Sequence, residues 1–281
     1  MLRISNKEGL YKAIEGFLKH FEVVGLKELP GKGIFYQPIT NIADLYLGAS
    51  PALEPVKKFF FQPAEYLFEA DSKKVAGFLE GVPLAQNQRL ILGVRPCEAR
   101  GLVLLDKVFN SEYKDASYIS RREGTIIVGL SCLEPGRNCF CTSVGGSPTE
   151  SRGMDAIIFG GEKDFVIEAA TDKGKDVLGA IGRPLTKEEE KNWHTQKENW
   201  NNALKRKINL PKGLENIFES DYWEKVSFSC LSCGVCTYLC PTCHCFDLAD
   251  EGRKRLRCYD GCSFSDFTLE ASGVNPRPAK K

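Results

Sequence analysis

Apolar residues recur at helical spacing in Leu10, Ile14, Phe17 and Leu18, so residues 6–20 are expected to form an amphipathic helix. Residues 30–68 are dense in Gly, Pro and aromatics and read as short strands and turns. A short helix is expected over 72–80, capped by Asp71 or Ser72. Arg89-Leu-Ile-Leu-Gly-Val94 is a short apolar run suited to a buried strand. Glu98–Phe109 follows with helical periodicity, and Gly124-Thr-Ile-Ile-Val-Gly-Leu130 is a second buried strand. Strand, helix and strand in that order predict a right-handed parallel unit. Residues 155–159 and 164–170 predict two more strands, joined near Gly160-Gly161 as a hairpin. Phe59-Phe60-Phe61 reads as core packing.

From Thr186 the chain turns polar and charged. Thr186 and Glu189 stand at capping-box spacing, and a solvated helix or linker is expected to about Lys207. His20 and His194 fall on polar helices and are expected to be exposed. Asp221 to Phe228 predicts a short helix leading into a Cys-rich tail.

Composition adds one unusual number: twelve cysteines in 281 residues, eight of them between Cys230 and Cys262. The other four are Cys97, Cys132, Cys139 and Cys141. Charge is balanced, 38 Lys+Arg against 37 Asp+Glu, which argues against a nucleic-acid partner. The opening MLRISNKEGLYKAIEGF has no unbroken apolar h-region and no small-residue cleavage site. The longest apolar runs are far too short to span a bilayer. A cytoplasmic chain with reduced thiols is expected, in which crowded cysteines are metal ligands or redox groups rather than disulfides.

Cys230-Leu-Ser-Cys233-Gly-Val-Cys236-Thr-Tyr-Leu-Cys240-Pro241 is the C-x2-C-x2-C-x3-C-P run of bacterial ferredoxins. Its tight loop lets three thiolates converge on one cubane, and Gly234 permits a left-handed turn among them. Cys240 is expected to open a helical turn and to serve a second cluster. Zinc also suits C-x2-C, but four cysteines at these spacings followed by Pro favour iron–sulfur. Cys243, Cys245, Cys258 and Cys262 are open between ligands of a second cubane and residues lining the first. Zinc held by Cys243, His244 and Cys245 is sterically awkward. Arg253-Lys-Arg-Leu-Arg257 reads as a solvated face or as a counterweight to cluster charge.

Cys97 follows the first strand of the parallel unit and Cys132 follows the second. Parallel strands would put both at the carboxyl edge of the sheet, where open α/β sheets bind ligands. Cys139 and Cys141 lie in the loop after Cys132, with Gly136, Gly145 and Gly146 allowing it to fold back. Four thiols near a helix N-terminus suit a further cluster, the alternative being scattered buried cysteines. The expected fold is therefore an α/β domain with a partly parallel sheet over 1–185, a helical linker over 186–222, and a small α-helical ferredoxin-like iron–sulfur domain over 223–281.

GVRPCEARGLVLLDKVF, VGLSCLEPGRNCFCTSVG, CLSCGVCTYLCPTCHCFDLAD and CSFSDFTLEASGVNPRP resemble one family, as does KKFFFQPAEYLFEAD nearer the start. It is the iron–sulfur beta subunit of sulfhydrogenase-type nickel–iron hydrogenases, together with the matching iron–sulfur subunit of anaerobic sulfite reductase. The resemblance implies an electron-transfer subunit with two or more 4Fe-4S clusters. Its partners would be a flavin-bearing subunit of diaphorase type and a catalytic oxidoreductase subunit such as a hydrogenase. It makes Cys230, Cys233, Cys236 and Cys240 cluster ligands, and Cys97, Cys132, Cys139 and Cys141 match its N-terminal cysteines. In the family a second ferredoxin run follows Asn275-Pro-Arg-Pro278, whereas this sequence runs to Lys281. The ligands of that run would then be rebuilt locally, supplied by a partner, or lost in a truncated form. Two alternatives stand beside this reading: a subunit that also binds a flavin or deazaflavin at the sheet edge, and a zinc-stabilised interaction module.

Overall fold

The computed structural model describes residues 1–70, 79–81, 88–160, 164–179, 181–202, 204, 206–209, 213–276 and 278. Its strands are β1 (Leu2–Asn6), β2 (Glu22–Leu29), β3 (Gly33–Pro38), β4 (Ala64–Ala70), β5 (Leu79–Gly81), β6 (Arg89–Val94), β7 (Thr125–Leu130), β8 (Ala156–Gly160), β9 (Asp164–Ala169), β10 (Arg183–Pro184), β11 (Phe246–Glu251) and β12 (Lys254–Tyr259). Its α-helices are α1 (Lys7–Phe17), α2 (Pro96–Phe109), α3 (Ala116–Glu123), α4 (Asp172–Leu178), α5 (Lys187–Asn202), α6 (Tyr222–Ser227) and α7 (Val235–Leu239). The chain divides into two compact units, 1–60 with 85–208 and 61–84 with 209–281. This differs from three consecutive segments, because β4, with β5 beside it, pairs with β12 from far along the chain, while α5 belongs with the first unit.

The first unit is built on an eight-stranded sheet in the order β10-β1-β9-β8-β7-β6-β2-β3. Its centre is parallel, β2 with β6, β6 with β7 and β7 with β8. Antiparallel strands extend it on both sides, and β8–β9 is the hairpin expected from sequence. Strands covered on both faces read as continuous apolar runs rather than alternating ones. Accordingly Leu90, Ile91, Leu92, Val94, Ile127, Val128 and Leu130 are all buried. Helix α2 buries Ala99, Leu102, Leu105 and Phe109, spaced to form one helical stripe. It starts at Pro96, whose fixed φ suits a first helical position, and Glu98 Oε2 accepts from the Arg95 N–H at 3.4 Å. Helix α5 has the expected capping box, Thr186 N to Glu189 Oε2 at 2.8 Å and Glu189 N to Thr186 Oγ1 at 3.3 Å. His194 is exposed on α5, while His20 lies in the turn after α1 rather than on the helix.

The second unit adds to its short helices a four-stranded antiparallel sheet, ordered β11-β12-β4-β5. The helix expected over 72–80 does not extend to Leu79 and Glu80, which lie in β5; Asp71 to Val75 and the rest to 78 fall outside the described residues, as does Gly161. The basic run lies on β12. Arg255 Nε meets Asp250 Oδ1 at 2.5 Å, and Arg253 and Lys254 face Glu69. Arg257 is not solvated: it is 2% exposed and its Nη2 meets Glu65 Oε1 at 2.5 Å. Its guanidinium carbon stands 5.2 Å from the Phe61 ring centroid and 5.4 Å from that of Phe246. Phe60 and Phe61 are fully buried, as core packing requires.

Leu92 is 1% exposed in the main apolar cluster. Leu92→Ala should destabilise the first unit by about 2–5 kcal/mol, read as a lower urea midpoint. Tyr113→Ala, at a position 85% exposed, should stay within about 0.5 kcal/mol of the parent.

Candidate metal centres

The first constellation follows from strand direction. Because β6 and β7 run parallel, with Leu90 opposite Ile126 and Leu92 opposite Val128, both strands leave the sheet at the same edge. Cys97 then falls in the first turn of α2, and Cys132 comes two residues after β7. The loop after Cys132 is fixed by Cys132 N to Pro148 O at 2.9 Å, Cys139 N to Gly136 O at 3.0 Å and Gly146 N to Cys141 O at 2.9 Å. Gly145 takes φ 74° to close it, and Arg100 Nη2 donates to Val144 O.

The four thiols meet there closely enough for Cys132, Cys139 and Cys141 to act on Cys97. Burial pushes the Cys97 thiol up to about 12, with Glu98, Cys132, Cys141 and Cys139 adding to the rise. Burial also raises Cys132, opposed by the positive charge of Arg95 and reinforced by Cys139 and Cys141. Cys141 is raised by burial too, with Cys139 again contributing. Beside them Glu98 accepts from Tyr36 Oη and from Val56 N at 3.1 Å. Burial raises its carboxyl, while those bonds and Arg95 pull it down.

The second constellation occupies the tail. Gly234 has φ 73°, the left-handed turn expected within the ferredoxin-like run, and a Cβ there would stand 2.9 Å from the Phe264 ring. Ser232, between Cys230 and Cys233, has φ 53° and is the non-glycine residue with positive φ among those described. Its Oγ donates to Ser263 O at 2.8 Å. Cys236 Sγ is 4.0 Å from Ser263 Oγ. Cys240 does not open a helical turn: it closes α7 in an extended conformation, its N–H bonded to Cys236 O at 3.0 Å. The proline that follows forces this, since it disfavours helical backbone at the preceding residue. Cys240 Sγ lies 3.2 Å from Thr242 Oγ1. Cys243, Cys245 and Cys262 come together, for the Cys245 thiol is raised by burial and then by Cys243 and Cys262. Cys258 sits on β12, raised by burial and by the carboxylates of Asp247 and Asp260.

No disulfide joins any of the twelve cysteines. Among the described residues no three His, Cys, Asp or Glu groups stand at the spacing of a single metal ion. A cubane asks for less, since its four ligand sulfurs each bind a different iron and stand further apart than the ligands of one ion. The donor set at the sheet edge fits such a group. Arg95 Nε, Arg100 Nη1 and Ser131 Oγ there are buried with no hydrogen-bond partner among the described residues. Anionic sulfur would give those donors an acceptor.

Residues 229–281 match a family model described as a 4Fe-4S dicluster domain. The chain is also 30% identical over 257 residues to sulfhydrogenase 2 subunit beta of Pyrococcus furiosus, covering 87% of this chain and 75% of that protein. The chain belongs to the sulfhydrogenase beta-subunit family. It is thus an iron–sulfur, electron-transfer protein carrying 4Fe-4S clusters. No solved structure matches it. Among the described residues no helix is long and apolar enough to cross a membrane. Sequence reasoning missed Arg95, Arg100 and Glu98 as parts of the edge, since nothing in their local pattern separates them from ordinary residues of a helix start.

The raised Cys97 thiol has a measurable consequence. In metal-stripped protein at pH 8, iodoacetamide should label Cys97 about a hundredfold more slowly than in the urea-denatured chain, read by peptide mass spectrometry. The folded form holds the proton more tightly, so this group's contribution to stability is present below the ordinary thiol range and is lost as pH rises through about 12.

Proposed function

We infer that the chain relays single electrons inside a larger oxidoreductase, from or to a flavin-bearing subunit on one side and a catalytic subunit on the other. The observation that carries this reading is the pair of cysteine constellations, one at a sheet edge and one in the tail. Cys97, Cys132, Cys139 and Cys141 would hold one cluster. Cys230, Cys233, Cys236 and Cys240 would hold cluster iron in the tail, with Cys243, Cys245 and Cys262 available for a second centre there. Cys258, between two carboxylates, would line the site. The clusters supply one-electron chemistry when bound.

The chain's own residues do the rest. They supply the sulfurs and fix the loops that present them. A relay asks for no nucleophile beside a base, and the Glu98 oxygens at the edge are taken by Tyr36, Val56 and Arg95. A cytoplasmic setting, which keeps thiols reduced, suits a chain with twelve cysteines.

Anaerobic purification with iron and sulfide analysis and EPR tests the ligand sets. Cys132→Ser should lose about four irons per chain and one EPR signal while the tail centres persist. Cys233→Ser should do the reverse. Wild-type iron content in Cys132→Ser would reject the edge centre. Purification of the native complex should recover a flavoprotein subunit; a complex without bound flavin would reject that partner.

A further inference from the structure

We propose that Arg95 and Arg100 hold the reduction potential of the centre at Cys97, Cys132, Cys139 and Cys141 above the value that four thiolates alone would give. This rests on the edge-centre reading of those cysteines.

Arg95 is 3% exposed, and its acceptors are all main-chain carbonyls. Nη1 donates to Ser131 O at 2.8 Å, and Nη2 to Gly48 O at 2.5 Å and to Ser50 O at 3.2 Å. The carbonyl of Ser131 immediately precedes Cys132, so the guanidinium is fixed against the ligand loop. Arg100 lies one turn further along α2, where its Nη2 donates to Val144 O in the loop that carries Cys141. Its Nη1 would stand 2.7 Å from a Cβ placed on Gly146, so at that position only glycine leaves it room. Each guanidinium keeps one buried nitrogen with no acceptor among the described residues, Arg95 Nε and Arg100 Nη1. Neither forms an ion pair with a described carboxylate. Glu98, the acid nearest in sequence, commits its oxygens to a phenol and two main-chain N–H groups.

Arg95 acts on the Glu98 carboxyl and on the Cys132 thiol, and Arg100 is bonded to the loop that carries Cys141. Four thiolates together with a cubane carry about two negative charges. Two guanidiniums beside the ligand loops offset part of that charge. Reduction adds one more negative charge, which fixed positive charge favours, so the arginines raise the potential.

The test is an EPR-monitored redox titration of the full chain, following the signal that Cys132→Ser abolishes. Arg100→Gln is the main variant, because Arg100 is only half-buried and makes a single main-chain bond. It should lower the reduced-to-oxidised ratio at fixed potential at least tenfold, about 59 mV for one electron. Arg100→Lys, which keeps the charge, should recover at least half of that shift, and Arg95→Lys should move the midpoint by less than half of it. An unchanged midpoint in Arg100→Gln at full iron content would overturn the proposal. So would lysine variants as low as the glutamine variant, which would assign the arginines to loop shape alone. If Cys132→Ser removes neither iron nor signal, the edge-centre reading itself fails, and the proposal with it.

Discussion

The parallel pairing of β6 with β7 is the constraint on which the sheet-edge site depends. Strands that run the same way release their following residues at the same edge, so Arg95 to Cys97 and Ser131 to Cys132 emerge side by side. In an antiparallel pair of six-residue strands those residues would be separated by the strand length, about 20 Å. Parallel strands in turn require cover on both faces. The apolar runs of β6 and β7 and the buried stripe of α2 supply it. Packing and chemistry are therefore one arrangement: the residues that bury the strands also aim the thiols.

Much of this is legible in the sequence because it is local. The apolar runs, the period of α2, the hairpin of β8 with β9 and the Thr186–Glu189 cap are each written within a few residues, and the structure has them. The meeting of four cysteines at one edge is legible at one remove, from strand order. The sheet of the second unit is not, because β4 and β12 are distant in sequence and no local period marks the pairing. The basic run reads as one face only while its strand is unknown. Alternation alone would put Arg255 and Arg257 on one face, but the pairing of β12 with β4 shifts register between Arg255 and Leu256, and Arg257 meets the buried Glu65 while Arg255 meets Asp250 at the surface. Motif spacing alone puts Cys240 at a helix start, where Pro241 dictates an ending.

The tail shows a different economy. Its ferredoxin-like loop relies on backbone shape rather than on a large apolar core. Gly234 takes a left-handed turn freely, but Ser232 does so at a cost on the order of 1 kcal/mol or more. The bond from its hydroxyl to Ser263 O offsets part of that cost and ties the loop to the segment that carries Cys262. Such a loop gains when its thiols also bind a metal, because binding free energy then becomes folding free energy.

The discontinuity of the second unit bears on how the protein is made. Glu65 and Arg257, partners in a buried ion pair, are 192 residues apart. On the ribosome β4 emerges before residues 85–208 of the first unit and its neighbour β12 after them, so one edge of β4 must wait through synthesis of most of the first unit. An open strand edge kept waiting is a template for wrong pairing, and a nascent chain of this kind has reason to depend on chaperones or on prompt assembly.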